Sequence, residues 1–97
     1  MAYEPFIGEI CEYGFDYAPE GWADCAGQIM QISQNNALYA LLGTRYGGDG
    51  IHTFALPDLR PFADAGPDYG KQHRVDWREK GLPRKCIALQ GVFPVRP

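Results

Sequence analysis

Long apolar runs are missing from this chain. Nothing in its 97 residues approaches the ~20 consecutive apolar residues that a membrane-spanning helix needs, so no membrane insertion is expected. The opening MAYEPFIGEICEYG has neither a basic segment nor an apolar one behind it, and no secretory signal is readable there. Basic charge is scarce. Nine Lys and Arg against twelve Asp and Glu give a net charge of −3, which argues against a nucleic-acid partner. Cysteines number three, and Cys11, Cys25 and Cys86 form neither a CxxC pair nor a zinc-type spacing. Small or apolar neighbours surround them, as in ADCAG and KCIAL, so they read as reduced thiols used as small core residues.

What the chain does have is punctuation. Twelve Gly and eight Pro, with 45% hydrophobic and 13% aromatic residues, exclude a disordered chain and a helical bundle alike. They point to many short elements joined by tight turns. A chain of this size buries roughly 60–65% of its unfolded surface, so one modest core is expected. Charge is unevenly spread: residues 1–60 hold eight acids and two bases, residues 61–85 four acids and six bases.

Along the chain, Phe6–Glu12 alternates as a first strand, and Tyr17–Trp22 is turn chemistry around Pro19 and Gly21. Trp22–Gln28 and Gln28–Ile32 read as two short strands. One helix is expected, at about residues 34–42, with Ser33 as its N-cap, Ala37, Leu38, Leu41 and Leu42 on one face, and Gly43 ending it in a left-handed turn. His52–Leu56 is a strand stopped by Pro57. Residues 61–85 are charged and broken by Gly and Pro, an irregular exposed excursion, and Cys86–Phe93 is the closing strand.

The stretch GGDGIHTFALPDLR, residues 47–60, contains the usual ingredients of a phosphate or metal site. A phosphate loop, however, places its glycines ahead of a helix and closes them with a Lys; these follow the helix and have none. A calcium loop needs a denser array of acidic oxygens than Asp49 and Asp58 provide. A thiol nucleophile would need Cys25 or Cys86 to meet His52, which spacing does not reveal. Asp49 between glycines and Asp58 after a proline are at home in turns. The stretch reads as a shape, with no metal and no cofactor expected.

Those residues carry a resemblance. Glu4–Ile10, Tyr17–Gln28, Ile32–Gly50 and Thr53–Arg60, in that order and spacing, resemble the phage tail collar domain family, also seen in proteins labelled microcystin-dependent; Ile87–Pro94 looks like the closing strand of its short members. The resemblance implies a small α+β domain of short strands around one short helix. It implies a part of a phage tail fibre or contractile particle, without catalysis, often homotrimeric, and partnered by tail and baseplate proteins and by a host-surface receptor. Such a protein is expected in a virion tail assembled in the bacterial cytoplasm. Here Arg60 runs into Pro61 and a short charged segment instead of the glycine-rich extension of longer members, and the His-x-His metal pair of some fibre tips is missing.

The expected single domain thus divides into a scaffold at 1–60, a variable segment at 61–85 and a closing strand and tail at 86–97. Leu38, Leu41, Leu42, Phe54, Leu56, Ile87 and Leu89 are its expected core. The candidate contact residues are Tyr69, His73, Arg74 and Trp77, because aromatic and Arg side chains dominate binding energy. A free-standing module binding a cell-surface glycan or peptide through 61–85 is the alternative function. For Trp77 the competing reading is an anchor tying the segment to the core.

Overall fold

Five short strands and one helix make up the computed structural model, which describes residues 4–63 and 73–95. The strands are β1 (Ile10–Tyr13), β2 (Trp22–Asp24), β3 (Ile29–Gln31), β4 (Thr53–Ala55) and β5 (Arg84–Ala88); the helix α1 is Asn36–Leu42. Two sheets result. In one, β5 lies between β1 and β2 and is antiparallel to both, with Cys11 and Asp24 as its partners at Cys86. In the other, β3 pairs antiparallel with β4, Met30 opposite Phe54. Backbone bonds join the layers: Leu56 donates to the Gln28 carbonyl (3.1 Å), Leu59 to Cys25 (2.8 Å), and Cys25 to Lys85 (3.0 Å). The result is a small α+β domain.

The core lies where the sheets meet the helix. Cys25, Leu38, Phe54, Leu56, Trp77 and Ile87 are buried together, and Ile7, Met30, Tyr39, Leu42 and Leu89 pack around them. Burying each large apolar side chain stabilises the fold by about 1.5–3 kcal/mol. Leu41, expected in this core, is only half-buried.

Several elements are shorter than the residue pattern predicts. The helix begins at Asn36, because Ile32–Gln34 first forms a 3-10 turn. That displaces Ser33 from the N-cap. Asn35 takes the position, no side chain caps the helix, and the Asn35 amide Nδ2 donates instead to the Gln31 carbonyl at 3.1 Å. Gly43 ends α1 at φ +58°, its N–H bonded to Tyr39. β1 starts later than expected, leaving Phe6 in an isolated bridge to Val92. The closing strand starts earlier, at Arg84 rather than Cys86, and stops at Ala88. Residues 73–85 are more ordered than an excursion: they hold a second 3-10 turn, Trp77–Lys80, and the first two residues of the central strand, Arg84 and Lys85.

Candidate functional site

The glycine-rich loop is built around its backbone. Gly48 sits at φ +96° with its α-carbon against β4; a Cβ there would lie 2.3 Å from the Phe54 Cα. Only glycine allows that approach. Asp49 Oδ1 then accepts from the backbone amides of Ile51, His52 and Thr53, each at 2.8 Å, while Thr53 Oγ1 accepts from the Asp49 amide at 3.1 Å. The Thr53 amide above all, then those of His52 and Ile51, hold this carboxyl below the usual carboxylate range. An acid so committed is a poor proton donor. Tyr39 Oη donates to the Gly50 carbonyl at 3.2 Å, fixing the loop to α1. The loop sets geometry.

The thiols are unsuited to attack. Cys25 and Cys86 are fully buried. Burial, reinforced by neighbouring acidic groups, pushes Cys25 up to about 12 and Cys86 up to about 11. Both stay protonated at neutral pH. His52 is 82% exposed at its side chain, 3.9 Å from Asp49, whereas the thiols are buried.

The candidate contact residues separate. Tyr69 lies outside the described residues. Residues 61–63 and 73–75 form a small ladder: Ala63 donates to His73 (2.8 Å), Val75 to Pro61 (2.9 Å), and Phe62 pairs with Arg74. His73 is exposed on it. Arg74 is half-buried and already occupied, donating to the Arg60 carbonyl at 2.6 Å, approaching Asp58 at 3.6 Å and stacking 4.3 Å over Phe62. Trp77 corrects the expectation of a surface residue. It is 2% exposed, because the turn Trp77–Lys80 folds its indole into the core. The anchor reading is the one the fold adopts.

Beside Trp77 lies a residue the sequence reading missed. Arg84 is 6% exposed, with Nη1 donating to Asp24 at 3.0 Å and Nη2 to Asp76 at 2.8 Å, and its guanidinium 5.2 Å over the Trp77 ring. Asp76 in turn accepts from the Arg78 amide at 3.0 Å. The signal was present: Arg84 shares a strand face with Cys86 and Ala88. Among the described residues, no group of three or more His, Cys, Asp or Glu could hold a metal, and no helix is long and apolar enough to cross a membrane.

A shallow cleft of about 510 Å³ opens elsewhere, lined by Glu4, Pro5, Glu20, Gly21, Trp22, Gln90 and Gly91. Trp22 also meets Tyr13 edge-on at 5.6 Å; Tyr13 then meets Phe15 at 5.1 Å, and Phe15 meets Tyr17 at 4.7 Å. An aromatic row thus leads away from the cleft.

A family model of the phage tail collar domain matches residues 8–62, more than half of the chain. The chain belongs to that family. The match spans β1 to β4, the helix and the glycine-rich loop, so the tail collar domain's matched part holds the loop geometry described above. Trp77, Arg84 and β5 lie beyond it, as do Gln90 and Gly91 of the cleft. No curated protein and no solved structure matches the chain. Membership in the family gives this protein a structural role in the phage tail.

Proposed function

We propose that this tail collar domain is a non-enzymatic structural and attachment component of a tail fibre or of a phage-like contractile injection particle. It works by self-association, as a homotrimer, with tail and baseplate proteins as neighbours and a host-surface receptor as its target. The family match carries the reading. Two observations support it: the thiols are buried and protonated, and large apolar side chains remain in water. Ile51 is 75% exposed, Ile29 60% and Phe6 54%. Burying such residues between copies is a usual way for a domain this small to gain stability. The alternative, a free-standing module binding through 61–85, keeps His73 as an exposed contact, while Arg74 is committed to Arg60, Asp58 and Phe62 and Trp77 lies in the core.

A tagged pull-down from producing cells, with mass spectrometry and electron microscopy of the eluate, tests the proposal. Sheath, tube or baseplate proteins with tails on the grid are the expected result, and sedimentation of the pure chain is expected to give three copies. A clean monomer without such partners overturns it.

A further inference from the structure

We infer that the cleft between Glu4–Pro5, Glu20–Trp22 and Gln90–Gly91, continued by the row Tyr13, Phe15 and Tyr17, binds a neutral oligosaccharide. The cleft's volume of about 510 Å³ falls within the ~300–1,000 Å³ of small-molecule sites, and its lining sets one aromatic residue, Trp22, among polar groups. Those polar groups are uncommitted. The Glu4 and Glu20 carboxylates and the Gln90 amide have no hydrogen-bond or ionic partner among the described residues. The backbone beneath them is fixed: Leu89 donates to the Gly21 carbonyl at 2.8 Å and Val92 to Pro5 at 2.9 Å. Gly91, at φ +142°, lies so close to Pro5 that a Cβ would stand 2.1 Å from its carbonyl oxygen. The site is preformed, so binding need not order it.

The chemistry selects the ligand. Carboxylates only accept hydrogen bonds, a side-chain amide both donates and accepts, and sugar hydroxyls match both. The apolar faces of sugar rings stack on aromatic rings, and here the row stands in water, Phe15 41% and Tyr17 64% exposed. No Lys or Arg lines the cleft, so a phosphate, sulfate or acidic sugar would meet two carboxylates unopposed. A second protein copy seated there would strip water from those carboxylates without giving each a donor, which is costly. A chain of neutral sugar rings, one end in the cleft and the rest along the row, satisfies every group.

This deepens the attachment reading by naming a ligand class, and the two can fail separately. The full chain, labelled with nitrogen-15, is titrated with maltohexaose, cellohexaose, chitohexaose and mannohexaose while the Trp22 indole N–H resonance is followed. At least one is expected to shift it saturably, together with the Gly21 and Gly91 amides. Glu20→Gln is expected to weaken that binding about fivefold, the loss of one charge-assisted hydrogen bond. Tyr17→Ala, an exposed change that leaves the fold alone, weakens it by a similar factor. His73→Ala leaves it unchanged. No response to any of the four sugars, a response confined to His73 and Arg74, or a Trp22 shift raised only by dextran sulfate or polylysine overturns the inference. Sugar silence alongside captured tail proteins sinks only this inference; sugar binding by a chain found in no particle sinks only the particle reading.

Discussion

The two sheets of this domain are held by different forces. The β3–β4 hairpin, with α1 and the glycine-rich loop inserted between its strands, depends on apolar burial of Leu38, Phe54 and Leu56 and on backbone hydrogen bonds gathered by Asp49. The β1–β5–β2 sheet shares that core through Ile87 and adds charge to it. Arg84 reaches Asp24 on β2 and Asp76 ahead of the Trp77 turn, and outside the sheet Asp58 holds Arg60 and Arg74. Both are compact solutions, but they differ in what can break them. Sterics and volume govern the hairpin, whereas added salt should act chiefly on the Arg pairs of the other half.

The largest effect is expected at Gly48. Gly48→Ala forces a methyl into the Phe54 backbone, where relaxation means pulling the loop off β4, and the loss should exceed ~4 kcal/mol. In a domain of ordinary marginal stability that is enough to unfold most molecules, as circular dichroism at room temperature would report. Phe54→Ala comes next. It empties a fully buried site and should cost about 3–5 kcal/mol in urea unfolding. If either change proved nearly silent, the hairpin would not be the sterically governed half.

Arg84→Met probes the charged half. Removing one partner of a dry ion pair costs about 3–5 kcal/mol, but Asp24 and Asp76 keep about a third of their side chains in water, so ~2 kcal/mol is expected. Adding Asp24→Asn and Asp76→Asn should recover part of the loss, since no unpaired acid then remains. Full additivity of the three changes would show that the groups do not act as a network.

Acid separates the halves less sharply. The Arg78 amide first, and the Arg84 guanidinium after it, hold Asp76 below the usual carboxylate range; Arg60 does the same for Asp58. Because the unfolded chain takes up protons near pH ~4 while the folded one resists, stability falls as pH drops through that point and below. Asp49 contributes in the same direction, so acid alone does not single out one sheet. Asp76→Asn should flatten the pH dependence of Tm, and added salt should weaken the Arg pairs more than the Asp49 amide bonds. His52→Ala, at an exposed site, is the smallest change: within about 0.5 kcal/mol of the parent.

The same division governs what was legible in the residue order. The hairpin half is local: helix periodicity, glycines at positive φ, a proline stop and a turn-forming Asp all lie within residues 29–57, and each announces itself by spacing. Its main error, Ser33 as the N-cap, arose because a 3-10 turn and a helix turn present the same short-range pattern. The charged half depends on residues far apart. Asp24 and Arg84 meet only because β2 and β5 pair. The alternation with Cys86 and Ala88 hints at burial for Arg84, but a charged residue is ordinarily exposed and its partners are remote in sequence. In the sequence Trp77 fits both a contact and an anchor, and only the fold separates them. The cleft went unseen for a similar reason. Glu4, Glu20 and Gln90 come from three distant stretches.

The order of β5 in its sheet has a consequence for how the protein is made. β1 and β2 leave the ribosome before β5, yet they do not pair with each other; both wait for Arg84–Ala88. The stretch that carries the family match can therefore emerge in full with two strand edges unsatisfied. Late arrival of the shared partner makes closure a long-range event, slow in kind and exposed to wrong pairings meanwhile. A neighbour's β5 would serve those edges as well as the chain's own. Strand exchange between copies is then the error that the order of elements leaves open.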